Sequence, residues 1–275
     1  MQPNKIGDAA LLHNGVAMPC LGLGVFQIGD ADVEAAIGHA LQVGYRHIDT
    51  AKMYGNEAGV GRAVRNADLS REDVFVTTKV WNSDQGYEAT LRACEASLER
   101  LGLEQLDLYL VHWPVPRLTK DTWRAMERIY QEGLARAIGV CNFKVHHLTD
   151  LLQYAEIPPM VNQVELHPYL SQAGVRSFCR EHGIQVEAWA PLMRGRLDAP
   201  LLRELAERYG KTAAQIVLRW DLQSGVVTIP KSARPERIHE NAGIFDFALS
   251  DEDMRRIDAL NEDRRTGPDP DHINF

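Results

Sequence analysis

A carboxylate, a phenol, an ammonium and an imidazole punctuate the first half of the chain at Asp49, Tyr54, Lys79 and His112. Side chains of these types take up, release or orient protons in enzymes. Asp49, Lys79 and His112 lie at the ends of short β-rich runs, and Tyr54 lies in the loop after the first. Further runs end near Asn142, Gln163 or Glu165, Glu187 or Trp189, and Lys231. Each residue alone has an ordinary reading. Asp49 could cap a turn before Thr50, Lys79 could be a solvated strand end, His112 a satisfied core histidine, and Tyr54 packing. Three polar groups on successive run ends, with a fourth in the adjoining loop, argue for a shared site. Two other groupings carry chemistry. Glu165 and Glu187 form a carboxylate pair of the kind that serves as acid and nucleophile in glycoside hydrolysis. Lys231, Arg234 and Arg237 cluster at the start of a helical pattern, where free backbone N–H groups favour anions. Their ordinary reading is a solvated charged loop.

The elements that must position these groups alternate regularly. Val33, Ala36, Ile37, Ala40 and Leu41 recur at the spacing of an amphipathic helix, as do Leu91, Cys94, Leu98 and Leu101, and Trp123, Met126 and Tyr130. Gly44, Gly102, Gly133, Gly183 and Gly225 close many of the helical patterns, the usual place for a residue that tolerates left-handed backbone. Strand runs follow at His47–Asp49, Leu106–His112, Ala135–Val140, Gln185–Trp189 and Val226–Pro230. With Leu21–Leu23, Val74–Lys79 and Val161–Glu165 there are eight. Their ends lie on average about 30 residues apart, the length of a βαβ unit. Several runs are almost continuously apolar, as expected of strands covered on both faces. Eight such units in one 275-residue domain describe an α/β fold of the (β/α)8 TIM-barrel class. An open doubly wound sheet would leave several strands unplaced. Asn14-Gly15 between apolar residues predicts a β-hairpin before the barrel, closing its N-terminal end. Helical patterns at Leu201–Tyr209 and Thr212–Gln223 precede the last strand, and an extra helix near Ser250–Asn261 leads into an irregular tail.

Composition bounds the answer. The chain has 45% hydrophobic and 25% charged residues, as in soluble globular proteins, and a formal net charge of −8. That balance speaks against nucleic acid as a partner. No apolar run has the length of a membrane span, and 1–20 lacks a signal-peptide stretch. Four cysteines without a C-x-x-C pair suit a reducing cytoplasm rather than zinc or disulfides. No metal site is expected: His146-His147 lacks ligand spacing on a helix. Gly22-Leu23-Gly24 begins like a dinucleotide fingerprint, but Gln27 stands at its third glycine. Gly210-Lys211-Thr212 ends like a phosphate loop, but Leu205 occupies its first glycine.

Three long segments carry a family resemblance. They are Gly44-Tyr45-Arg46-His47-Ile48-Asp49-Thr50-Ala51 with Tyr54, Gly55, Asn56 and Glu57; Leu106 to Pro114; and Ile229-Pro230-Lys231-Ser232 with Arg237, Ile238, Glu240 and Asn241. Together they resemble the aldo-keto reductase family over nearly the whole chain. Gly139-Val140-Cys141-Asn142-Phe143 and Gly267-Pro268-Asp269-Pro270-Asp271 fit its bacterial 2,5-diketo-D-gluconate reductase A group. The resemblance implies NADPH-dependent reduction of small aldehydes, ketones and dicarbonyls. Methylglyoxal, β-keto esters and 2,5-diketo-D-gluconate are the candidates. It implies a catalytic tetrad of Asp49, Tyr54, Lys79 and His112. Tyr54 would be the general acid, with its pKa lowered by Lys79. Asp49 would hold the lysine, and His112 would donate a hydrogen bond to the substrate oxygen.

The same resemblance assigns Asn142 and Gln163 to the nicotinamide carboxamide, Trp189 to stacking on its ring, and Cys141 and Leu192 to nearby cofactor contacts. Cys141 stands where many relatives have serine, and Trp189 where many have tyrosine. Lys231, Ser232 and Arg237 are assigned to the adenosine 2′-phosphate, with Glu240 and Asn241 on adenine. Phe26, Trp81 and Trp113 would line the substrate pocket, closed by the tail after Glu262. Relatives suggest a monomer whose partner is a small carbonyl compound. Two rivals remain. One is the glycoside hydrolase using Glu165 and Glu187. The other is a non-enzymatic NADPH-binding regulatory protein.

Overall fold

The computed structural model describes residues 3–273. Strands β1 (Ala9–Leu11) and β2 (Ala17–Pro19) form the antiparallel hairpin expected around Asn14-Gly15. The barrel strands are β3 (Leu23–Gly24), β4 (His47–Asp49), β5 (Phe75–Val80), β6 (Leu108–Val111), β7 (Ile138–Cys141), β8 (Val161–Glu165), β9 (Gln185–Trp189) and β10 (Val227–Thr228). They are parallel and neighbour one another in chain order. Parallel bridges from Leu21 to Thr228 and from Gly24 to Lys231 join the first strand to the last and close the cylinder. The hairpin lies at the N-terminal ends of the strands, where Asn14 Nδ2 donates to the carbonyl of Arg136 just before β7.

Helices α1 (Asp30–Val43), α2 (Glu57–Arg65), α3 (Tyr87–Leu101), α4 (Thr119–Gln131), α5 (Val145–Leu152) and α6 (Ala173–Glu181) follow successive strands. Two more, α7 (Pro200–Tyr209) and α8 (Ala213–Gln223), separate β9 from β10. Helices α9 (Pro235–Ala242) and α10 (Asp251–Asp258) then lead to the tail. The (β/α)8 barrel with its N-terminal hairpin, C-terminal extra helix and tail is the fold that the eight-unit pattern implies. Two tail residues, 274–275, lie outside the described region, as do 1–2.

Local chemistry explains these boundaries. The stripe read on α1 is its buried face: Val33, Ala36, Ile37, Ala40 and Leu41. Gly44 ends that helix at φ +114°, and its N–H bonds the carbonyls of Ala40 and Leu41. A residue with a Cβ is strained there. Thr212 caps α8 by accepting from the N–H of Gln215, whose side chain accepts from the N–H of Thr212 in return. Some strands are shorter than their apolar runs, because burial extends beyond the ladder. Leu106 pairs with Ala135 in an isolated bridge, and β10 holds two residues. Gly139 allows β7 and β8 to approach closely: a Cβ there would lie 2.4 Å from the carbonyl oxygen of Val161.

Candidate active site

Strand alternation aims residues i and i+2 at the same side, so His47 and Asp49 share a face, as do Thr77 and Lys79. All four are buried. Lys79 Nζ lies 2.7 and 2.8 Å from the two carboxylate oxygens of Asp49 and 2.8 Å from the carbonyl of Thr50. Its remaining contact is the hydroxyl of Tyr54 at 3.5 Å. Tyr54 ends a short 3-10 turn, Lys52–Tyr54, after β4. His112 follows β6, and its ring lies 5.9 Å from that of Tyr54. The four residues separated by up to 63 positions in the chain thus meet at the C-terminal mouth of the barrel, where enzymes of this fold work.

The electrostatics add an opposing influence to the expected effect of Lys79 on Tyr54. Burial pushes the Tyr54 hydroxyl above its ordinary pKa, and the nearby Lys79 ammonium offsets this in part without reversing it. Tyr54 therefore stays protonated at neutral pH, the state a proton donor needs. Burial is the largest single influence on Lys79 and would depress it, but the charge and hydrogen bonds of Asp49, together with Tyr54 and Cys141, outweigh it and hold the ammonium above its usual range. Burial, assisted by the Lys79 charge, pushes His112 well down, so its imidazole is neutral.

Beneath the lysine the polar contacts continue across the barrel. Gln163 Nε2 donates to Asp49 Oδ2 at 2.8 Å and to Glu187 Oε2 at 2.7 Å. Glu187 Oε1 is 3.6 Å from His47 Nε2, which is 3.1 Å from the Thr77 hydroxyl. Burial and the Asp49 charge push the Glu187 carboxyl up to about 8. This internal chain escaped the sequence reading. Its signal was the unusual number of polar residues at alternate positions of buried strands.

Asn142 sits just past β7 in left-handed backbone at φ +65°. Its Nδ2 donates to the carbonyl of His112 at 2.9 Å, and its Oδ1 accepts from Trp189 Nε1 at 2.8 Å. The two residues are thus tied to each other. Cys141 is buried, and burial raises its thiol well above the ordinary range. Leu192 is half-buried at the head of a short turn, in a loop where Ala190, Met193 and Arg194 all have positive φ. Phe26 packs 4.9 Å from the Tyr54 ring, Trp81 lies 5.1 Å and Trp113 6.4 Å from His112, and Trp113 lies 6.5 Å from Trp189. These aromatic rings surround the polar cluster. Lys231 and Arg234 are exposed in the segment leading into α9 and Arg237 in its first turn, and none forms an ion pair among the described residues. Ser232 is buried there, its Oγ accepting from the N–H of Arg234 at 3.0 Å. Glu240 accepts from the Thr212 hydroxyl at 2.7 Å, and Asn241 is buried on the same helix.

Glu165 is fully buried. It accepts from the N–H and hydroxyl of Thr266, each at 2.5 Å, and from the N–H of Gly267 at 3.1 Å. His167 Nε2 lies 3.2 Å away. Burial raises its carboxyl, but the hydrogen bonds from His167 and Thr266 outweigh that and hold it below the usual range. Glu165 and Glu187 are therefore committed to the tail and to Gln163, and neither is presented to a sugar. The tail packs against the indole of Trp189: a Cβ on Gly267 would lie 2.4 Å from it. Beyond it, Lys144 pairs with Asp269 at 2.5 Å and Asp271 at 2.6 Å. His146 and His147 approach Asp271 at 3.1 and 3.4 Å. His147 Nδ1 accepts from the N–H of Lys144, which puts its proton on Nε2, facing Asp271. The acids of the tail were the missed clue to this contact.

The model of the aldo/keto reductase family matches residues 20–262. Glyoxal reductase of Bacillus subtilis is 56% identical, covering 99% of this chain and 100% of its own. Methylglyoxal reductase DkgA of Salmonella typhimurium is 48% identical, covering 95% and 96%. A variant of Gox0644 solved in complex with NADPH superposes with a TM-score of 0.93 at 39% identity, covering 98% and 99%. Fold and kinship together define a barrel oxidoreductase. The chain belongs to the aldo/keto reductase family and is an NADP-dependent enzyme acting on carbonyl compounds.

Proposed function

We propose that the chain reduces small aldehydes, ketones and dicarbonyls with NADPH, using Tyr54 as the proton donor. The observation that carries this reading is the buried lysine held between Asp49 and the Tyr54 hydroxyl. Donation leaves negative charge on the tyrosine oxygen, and the adjacent ammonium stabilises that charge. A neutral His112 is suited to hydrogen-bond the substrate oxygen without competing as a cation.

The residues fit the cofactor. Gln163 Oε1 has no protein partner among the described residues, so it is free to accept from a carboxamide. Asn142 keeps one amide hydrogen for the same group, and Trp189 offers a ring to stack upon. Cys141 and Leu192 flank this position. Lys231, Ser232 and Arg237 are suited to the 2′-phosphate, with Glu240 and Asn241 beside the adenine. When bound, NADPH supplies the hydride.

Phe26, Trp81 and Trp113 support a pocket for compact, weakly polar substrates. The names of the relatives favour glyoxal and methylglyoxal; β-keto esters and 2,5-diketo-D-gluconate belong to the same class. Among the described residues no helix is long and apolar enough to cross a membrane. Four free, buried cysteines support a reducing cytoplasm, and we take the working unit as a monomer.

The test is a panel of these carbonyls, with NADPH oxidation followed in wild type and Tyr54→Phe. The substitution removes one hydroxyl and keeps the ring. Reduction is expected to fall by about 10²–10⁴-fold while NADPH still binds. Full activity in the variant would refute Tyr54 as the donor. Absence of turnover on every carbonyl, with NADPH bound, would favour the regulatory reading.

A further inference from the structure

Glu187 has no part in the roles above, yet it lies inside the barrel, fully buried, one hydrogen bond from Gln163. The two ends of a glutamine amide have nearly the same shape, so its neighbours decide which end points where. Here the nitrogen has two hydrogens and two acceptors: Asp49 Oδ2 at 2.8 Å and Glu187 Oε2 at 2.7 Å. Reversing the amide would set its oxygen against Asp49, which bears the negative charge of the Lys79 ion pair. It would also leave the amide nitrogen without the acceptor that Glu187 supplies. With both hydrogens committed, the oxygen is the free end, and it has no protein partner among the described residues.

We infer that Glu187 is a positioning residue which, through Gln163, makes that amide present a hydrogen-bond acceptor and no donor to the bound ligand. The inference rests on the NADPH reading and deepens it. It states what the nicotinamide must offer at this point, namely an N–H. A carboxamide has one, and a methyl ketone in its place does not. A neutral carboxyl serves Glu187 as well when its proton sits on Oε1, the oxygen that faces His47 Nε2 at 3.6 Å, because Oε2 is then left to accept from Gln163. Its pKa, pushed up to about 8, leaves it mostly neutral at pH 7 and spares Asp49 a second negative neighbour. The other groups facing it are His47, with Nε2 at 3.6 Å from Oε1, Lys79, and the thiol of Cys141.

The experiment compares dissociation constants for NADPH and for its reduced 3-acetylpyridine analogue, in which a methyl replaces the amide NH2. Adenosine 2′,5′-bisphosphate, which lacks the nicotinamide, is the control. Binding is read from tryptophan fluorescence, independently of turnover. Wild type is expected to favour NADPH over the analogue by about three- to tenfold, the worth of one neutral hydrogen bond. In Glu187→Leu, where Asp49 alone still holds the amide, that ratio is expected to fall by about half or more, with bisphosphate affinity unchanged. Glu187→Gln keeps an acceptor and should keep the ratio. A wild-type ratio near one overturns the inference without any variant. So does a full ratio in Glu187→Leu, or loss of the ratio in Glu187→Gln. Wild type that binds the bisphosphate and neither dinucleotide overturns the nicotinamide reading itself, and the inference with it.

Discussion

Lys79 carries its charge into a site with no exposed surface, and Asp49 is its sole ionic partner among the described residues. Removing one member of such a pair leaves the other buried and uncompensated, at a cost of about 3–5 kcal/mol. Lys79→Met is therefore expected to lower the melting temperature as well as abolish most reduction. In Lys79→Met/Asp49→Leu both charges are gone, so most of the lost stability should return while the activity does not. Thermal melts and NADPH-dependent reduction, run side by side, check this. Recovered activity in the double variant would mean that the pair serves folding and leaves Tyr54 untouched. Arg237 poses a simpler test, since it is exposed and free of ion pairs among the described residues. A charge-assisted bond to phosphate is worth roughly 1.5–3 kcal/mol. Arg237→Met should thus weaken NADPH about tenfold or more and barely change NADH, with the gap narrowing in high salt. Equal losses for both cofactors would show that Arg237 supports its loop instead of reading the phosphate.

The tail is an element without regular structure, held by two separate sets of charges. One is the buried carboxylate of Glu165, which receives the bonds from Thr266 and Gly267. The other is the partly exposed group of Lys144 with Asp269 and Asp271. Exposed pairs contribute little in water, so Glu165 should dominate. Glu165→Gln keeps the size of the side chain and removes its charge. Trypsin is then expected to cut after Arg264 or Arg265 several times faster than in wild type. Because the tail leans on Trp189, KM for the carbonyl should change more than kcat. An unaltered cleavage rate would assign the anchoring to Lys144 and its two aspartates.

For the molecule as a whole, buried carboxyls link stability to pH. Asp221 on α8 is fully buried, with one oxygen accepting from the Thr228 hydroxyl at 2.8 Å and the other without a partner among the described residues. Burial raises its pKa from 3.8 to about 8. The unfolded chain thus releases this proton near pH 3.8, and the folded protein keeps it until about pH 8. In that interval the folded state binds more protons, so the contribution of Asp221 to stability falls as pH rises. Asp221→Asn removes the titration while keeping a hydrogen-bonding group. Its melting temperature relative to wild type should be higher at pH 8 than at pH 5. The same difference at both pH values would show that Asp221 does not titrate in this way.

The sequence by itself determined the barrel and the kinds of residue at its mouth. Periodicity marks which face of a segment leaves water, and it marked α1 down to its five buried residues. Strand ends at regular intervals then put Asp49, Lys79 and His112 on one rim, whatever the details of packing. What lies across the rim was decided by the tertiary structure alone. Gln163 meets Asp49 from 114 positions away, and Thr266 meets Glu165 from 101. No local pattern encodes such pairs, because alternation fixes the side to which a residue points and leaves its partner open. The same reason explains the tyrosine. Lys79 was legible as a neighbour that favours the phenolate, but the opposing penalty depends on how completely the folded chain removes Tyr54 from water. Desolvation is a property of the whole assembly of elements, and here it outweighs the one charge that the motif revealed.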